Sequence, residues 1–97
     1  MKKYGLLVKL KAKEGKEMEI LNYIQEAVNL ARREQGTISW YSFRIDKHTF
    51  GIFDSFENEE GREAHLNGEI AGGLMKRAPD LLTEEPQIEK VEILSAI

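Results

Sequence analysis

Apolar and polar residues alternate from Tyr4 to Lys13, placing Leu6, Val8, Leu10 and Ala12 on one face and Leu7, Lys9 and Lys11 on the other. This period of two marks a half-buried strand. Gly15 breaks the pattern, and from Lys16 to Gln35 the apolar positions recur at three- and four-residue spacing. Ile20, Ile24, Ala27, Val28 and Ala31 form the stripe, flanked by Tyr23 and Leu30 on one side and Leu21 on the other, which predicts a long amphipathic helix. Arg32 and Arg33 suit the negative end of its dipole, and Gly36 is expected to supply a left-handed stop. Thr37–Asp46 and Thr49–Phe56 are β-rich runs separated by Lys47 and His48, a predicted hairpin. A two-residue loop sets Ile45 opposite Phe50, Phe43 opposite Ile52 and Tyr41 opposite Asp54. One hairpin face then carries Tyr41, Phe43, Ile45, Phe50, Ile52 and Phe56 with Asp54 in its midst. The other carries Trp40, Ser42, Arg44, Phe53 and Ser55. Asn58 is placed to cap a second helix with Glu59 and Glu60 in its first turn. Asn67-Gly68 interrupts that helix, Ile70 to Ala78 resumes it before Pro79, and Gln87–Leu94 closes the chain as a strand with Val91 and Ile93 on its apolar face.

The order strand, helix, strand, strand, helix, strand predicts an α+β, ferredoxin-like βαββαβ fold, an antiparallel sheet with helices on one face. The 97 residues hold no repeat or linker, so residues 1–97 read as a single domain. A sheet apolar on one side and semi-apolar on the other calls for cover on both. One helix layer covers the first side, and a second copy of the chain is expected to cover the other. The expected assembly is a homodimer forming an α/β barrel, with Trp40 and Arg44 at the interface. A chain this short buries only about 60–65 % of its unfolded surface, which adds to the advantage of pairing.

Charge narrows the partners. The 14 basic and 17 acidic residues are interspersed. Lys2, Lys3, Lys9, Lys11 and Lys13 read as a solvated strand face, so no basic stripe suited to nucleic acid is present. No apolar run suffices for a signal peptide or a membrane span, and there is no cysteine. The expectation is a cytoplasmic protein that binds neither nucleic acid nor membrane. Two histidines without cysteine also allow no metal site of ordinary spacing.

Asp54 is the sharpest candidate for chemistry. A carboxylate among phenylalanine and isoleucine must be paired, hydrated or neutral, and desolvation raises its pKa toward the range of a general base. A structural carboxylate held by Tyr41, His65 or a backbone amide satisfies the same constraint. His65, on the second helix, is placed to take a phenolic proton. Tyr41 can donate to a developing oxyanion or simply pack its ring. Phe43, Phe56, Leu74 and Met75 complete an expected apolar cavity between sheet and second helix, with Asn67 at its mouth. The Gly72-Gly73 pair lacks the strand-to-helix setting of a phosphate loop and implies close backbone packing or open room. His48, at the hairpin tip, reads as solvated.

Gly36-Thr37-Ile38-Ser39-Trp40-Tyr41, the strand Phe50–Phe56 and His65 together give the chain a family likeness. It resembles, over its whole length, the antibiotic-biosynthesis monooxygenases, small dimeric α/β-barrel proteins that include cofactor-independent quinol and polyketide oxygenases. Where that family commonly has Glu-x-Trp and, after eight intervening residues, His, this chain has Asp54-Ser55-Phe56 and, at the matching distance, His65. The haem-degrading branch has an asparagine, a tryptophan and a histidine where this chain has Val8 or Lys9, Phe56 and Met75, so haem degradation is disfavoured. The resemblance implies oxidation of a small aromatic substrate, an electron-rich phenol, hydroquinone or polyketide-like ring, by dioxygen without flavin, haem or metal. Asp54 or His65 would be the base and Tyr41 the donor to the anion. The alternative is a ligand-binding or stress-response dimer of the same fold without turnover.

Overall fold

The computed structural model describes residues 3–97, so Lys2 lies outside the described residues. Strand β1 (Tyr4–Lys11) turns at Gly15 into helix α1 (Glu17–Ala31), and β2 (Thr37–Arg44) and β3 (Thr49–Phe56) follow as a hairpin. Helices α2 (Glu59–Leu66) and α3 (Glu69–Leu81) then lead to β4 (Gln87–Glu92). The sheet order is β2-β3-β1-β4 with every neighbouring pair antiparallel, the ferredoxin-like βαββαβ arrangement. Among the described residues no helix is long and apolar enough to cross a membrane.

The alternating face of β1 behaves as its pattern demands. Leu6, Val8, Leu10 and Ala12 are buried, and the last three join Ile20 and Ile24 of α1, Phe50 and Ile52 of β3, and Leu74, Ala78 and Leu81 of α3 around one core. A second cluster, Ala27, Ala31 and Ile70, lies where α1 meets α3, and Trp40 packs against both.

The hairpin differs from the two-residue reading. Arg44 pairs with Phe50, Ser42 with Ile52 and Trp40 with Asp54, a register displaced by one residue. Because side chains alternate along a strand, this slip turns every residue of β2 to the other face. Tyr41 and Phe43 therefore stand on the helix-free face, 62 % and 40 % exposed, while Trp40 points to the helices. The reason lies in the loop. Two-residue hairpin turns need positive φ at one or both positions, which Lys47 and His48 supply poorly. The chain instead uses Ile45–His48: Ile45 N–H donates to Thr49 O at 2.8 Å, and Asp46 Oδ1 accepts from His48 N–H at 3.0 Å. Among the described residues positive φ is confined to Gly15, at 88°.

Three other expectations are corrected. Helix α1 ends at Ala31, and Gly36 serves close packing rather than a left-handed stop: a Cβ there would lie 2.8 Å from Gly61 Cα. Helix α3 runs through Pro79 to Leu81, where proline's missing N–H affects only the last turn. Strand β4 ends at Glu92, with Val91 on the helix-free face beside Gly5. The Asn58 cap is as expected, its Oδ1 accepting from Gly61 N–H at 2.8 Å.

The adjacent glycines of α3 do different work. A Cβ on Gly73 would lie 2.9 Å from Tyr23 Oη, whose hydroxyl donates to Ile70 O at 2.5 Å, whereas a Cβ on Gly72 meets nothing within 4 Å. Gly72→Ala should therefore raise stability by about 0.4–1 kcal/mol in thermal or urea denaturation. Gly73→Ala should lower it by displacing the tyrosine. Equal responses at the two sites would refute this packing.

Candidate active site

The displaced register builds the site. Asp54, at the middle of β3, faces the helices and its side chain is 1 % exposed. Across it on α2 stands His65, with Nε2 3.0 Å from Asp54 Oδ2. Neither carboxylate oxygen has a well-directed hydrogen bond, so attraction of charge rather than an in-line N–H holds this contact. On the opposite edge of the ring, His65 Nδ1 lies 2.7 Å from Glu34 Oε1, which also accepts from the Thr37 hydroxyl at 2.6 Å. Helix α1 stops at Ala31, and the turn that follows carries Glu34 back toward α2. Phe56 packs on the imidazole at 5.2 Å between centroids and Trp40 meets it edge-on at 5.9 Å. These rings shield the imidazole from water.

Burial raises the pKa of Asp54, and the facing His65 offsets only part of that. For His65 burial acts downward, but Asp54 and Glu34 outweigh it, and the histidine keeps its proton to higher pH than a free imidazole. With both nitrogens held by carboxylates, His65 has no free lone pair for a substrate. Asp54, whose oxygens make no directed hydrogen bond, is the better proton acceptor. Each carboxylate takes an opposite side of the ring, so the three groups do not converge on a point where a cation would sit, and among the described residues no set of three or more such donors does.

Beside Asp54 lies a cavity of about 30 Å³, lined by His65, Trp40, Leu74, Met75 and Ile88 among others. It has room for about one water. Met75 and Ile88 are half exposed at its rim, so an apolar mouth leads to a single polar end. Of the residues expected here from the sequence, Asp54, His65, Leu74 and Met75 line this cavity. Phe56 is fully buried behind the histidine. Asn67 ends α2, its Nδ2 donating to Glu63 O at 2.9 Å, and it stands outside the cavity wall. Tyr41 and Phe43 are on the far side of the sheet and take no part. Trp40, Glu34 and Ile88 enter instead. Trp40, expected at the interface, was missed although the loop chemistry held the clue; Glu34, dependent on where α1 ends, carried no local signal. His48 is not free at the hairpin tip: its Nδ1 lies 2.7 Å from Glu17 Oε2.

Known proteins can be set beside this geometry. No protein-family model matches the sequence, and no curated protein matches it. A solved structure from Nitrosomonas europaea, of a protein of unknown function, is 46 % identical, with a TM-score of 0.96 over 100 % of this chain and 94 % of its own. The chain belongs to the same family as that Nitrosomonas protein. A Pseudomonas aeruginosa protein, 18 % identical, has a TM-score of 0.84 over 98 % of this chain and 97 % of its own. An antibiotic biosynthesis monooxygenase, 13 % identical, has a TM-score of 0.82 over 95 % and 99 % of the two chains. At those identities the likeness is one of fold: the chain has the ferredoxin-like fold of the antibiotic biosynthesis monooxygenases.

The electrostatics of the row are testable. A raised His65 pKa means that its ion pairs stabilise the fold fully below its ordinary 6.5 and lose that effect as pH rises through the folded midpoint. Nitrogen-15 NMR of the imidazoles should place the His65 midpoint above 6.5, and Asp54→Asn should lower it. A midpoint unmoved by that substitution would show that the two groups do not interact.

Proposed function

We propose that this chain is a homodimeric monooxygenase that oxidises an electron-rich phenol or hydroquinone with dioxygen, the ionised substrate itself being the reductant. The observation that carries the reading is the buried Asp54, whose oxygens make no directed hydrogen bond and stand at the polar end of an apolar cavity. A phenolic ring entering past Met75 and Ile88 would bring its hydroxyl to that carboxylate. Asp54 accepts the proton, and the phenolate, richer in electrons than the phenol, passes an electron to dioxygen. In all the substrate gives up four electrons and two protons: one oxygen atom ends on the ring in a product at the quinone level, and the other takes the two protons and leaves as water. Trp40 replaces Tyr41 as the candidate donor to the anion, because its indole N–H is buried without a partner. Such an unsatisfied donor costs free energy in the empty site and repays it when an anion binds.

A cavity this small must widen to admit a ring. The α2–α3 break at Asn67-Gly68 and the unbranched, half-exposed Met75 are the elements able to yield. The same small volume favours a second reading, a dimer that binds a small ligand without turning it over. Oxygen consumption with menadiol, anthrone and a panel of simple phenols decides between them. Uptake that falls about 100-fold or more in Asp54→Asn supports the oxygenase. No uptake with any of them, or uptake indifferent to Asp54, supports the binding protein.

What supports a second copy is the helix-free face of the sheet, where Tyr41, Phe43, Phe53, Leu7 and Val91 form an uncovered apolar surface. Phe43 lies over Gly51 there. Sedimentation analysis should give a dimer, and the double variant Tyr41→Glu, Phe53→Glu should dissociate it. A monomer in the unaltered chain would contradict the assembly.

A further inference from the structure

Met75 lines two hollows at once. On one side is the cavity of about 30 Å³ beside Asp54. On the other is a cleft of about 370 Å³, walled by Ala78, Pro79, Leu82 and Thr83. The two follow each other along α3. The inner one touches Ile70, Ala71, Leu74 and Met75, and the outer one Met75, Ala78, Pro79 and the cap residue Leu82, so both draw on residues three and four apart. The midpoints of these stretches are about six residues, or about 9 Å, apart along the helix. The chain leading into β4 forms the other bank, with Ile88 at the inner hollow and Thr83 at the outer one. The outer cleft has the size of a ligand pocket, commonly about 300–1,000 Å³, and the inner cavity does not.

The chemistry of the outer cleft favours hydrocarbon. Ala78 and Leu82 are buried in its floor, beside Met75 and the ring of Pro79. The polar groups of its rim are engaged with one another or with backbone: Lys13 Nζ donates to Pro79 O at 2.7 Å, and Glu84 lies 3.4 Å from the Lys11 ammonium and accepts from Gln87 Nε2 at 3.3 Å. An anionic tail would meet Glu84 and Glu85. Resting on the reading of the inner cavity as the seat of a phenolic head, we infer that the substrate carries an apolar chain lying in the cleft beyond Met75. Met75 is the movable wall between head and chain. It is unbranched and 48 % exposed, so its thioether can turn outward without opening the core, joining the hollows into one trough. Each methylene buried there favours binding about fourfold. Binding of the chain thus drives the widening that the ring requires, which explains why the inner cavity is so small at rest.

Para-cresol and para-octylphenol test this, because they share a head and differ only in the chain. Isothermal titration of the full-length protein should show para-octylphenol binding about 100-fold or more tightly, since a few buried methylenes suffice. In nitrogen-15 NMR the Asp54 amide should shift with both phenols, and the Ala78 and Leu82 amides with para-octylphenol alone. Thr83→Trp, made at an exposed position, fills the cleft with an indole. It should bring the octylphenol affinity down toward that of para-cresol and leave para-cresol unaffected. Should that variant not fold, the amide shifts decide. Equal affinities, binding of neither phenol, or a preference for the chain with Ala78 and Leu82 unmoved overturns the inference. These readouts need no turnover. A chain preference in a protein that consumes no oxygen upholds the cleft and counts against the reaction, whereas Asp54-dependent oxygen uptake from menadiol without any chain preference removes the chain alone.

Discussion

Everything in this site depends on which residue of β2 lies opposite Asp54. With Trp40 there, an indole faces the core, covers the imidazole edge-on and joins the two apolar clusters across α1 and α3. With Tyr41 there, the helix layer would receive a phenol and the opposite face a tryptophan. A strand has no intermediate arrangement, because its side chains alternate and the smallest slip inverts the whole set. The four-residue loop Ile45–His48, pinned by Asp46, therefore decides the chemistry of a site well removed from it.

The second constraint is electrostatic. Two carboxylates share one imidazole that Phe56 and Trp40 shield from water, and the arrangement puts the two chemically similar groups in different surroundings. Glu34 sits near solvent and is held by a hydroxyl. Asp54 has no such help, so its ionised form is the costlier one, and the cost is the source of its basicity. Breaking a buried pair by removing one partner commonly destabilises a fold by about 3–5 kcal/mol, which is why isosteric substitutions are the informative ones here.

The element order, the buried face of β1, the stripe of α1, the Asn58 cap and the interruption at Asn67-Gly68 were all legible in the sequence, because each rests on local periodicity or local capping chemistry. The acid at Asp54 and the histidine at His65 were legible too, the first as a charge in an apolar run. What escaped was non-local or hidden in turn geometry. Lys47 and His48 mark a break between two strands, but the inability of that pair to take positive φ is the clue that lengthens the loop and reverses β2. Gly36 looked like a helix stop, yet its need is set by Gly61, a residue on another element. Glu34 was invisible because its role depends on α1 ending three residues earlier, and no periodicity reports where a side chain lands after a helix has stopped.

The central claim is that Asp54 is a buried acid facing a histidine in an apolar wall, and its own titration tests it most directly. Carbon-13 NMR of the Asp54 side-chain carboxyl should give a midpoint above the ordinary 3.8. It should rise further when His65 is replaced by a neutral residue, since the opposing charge is then lost. A midpoint at or below 3.8, unaltered by loss of His65, would mean that the carboxylate faces water, and the account of the site would fail with it.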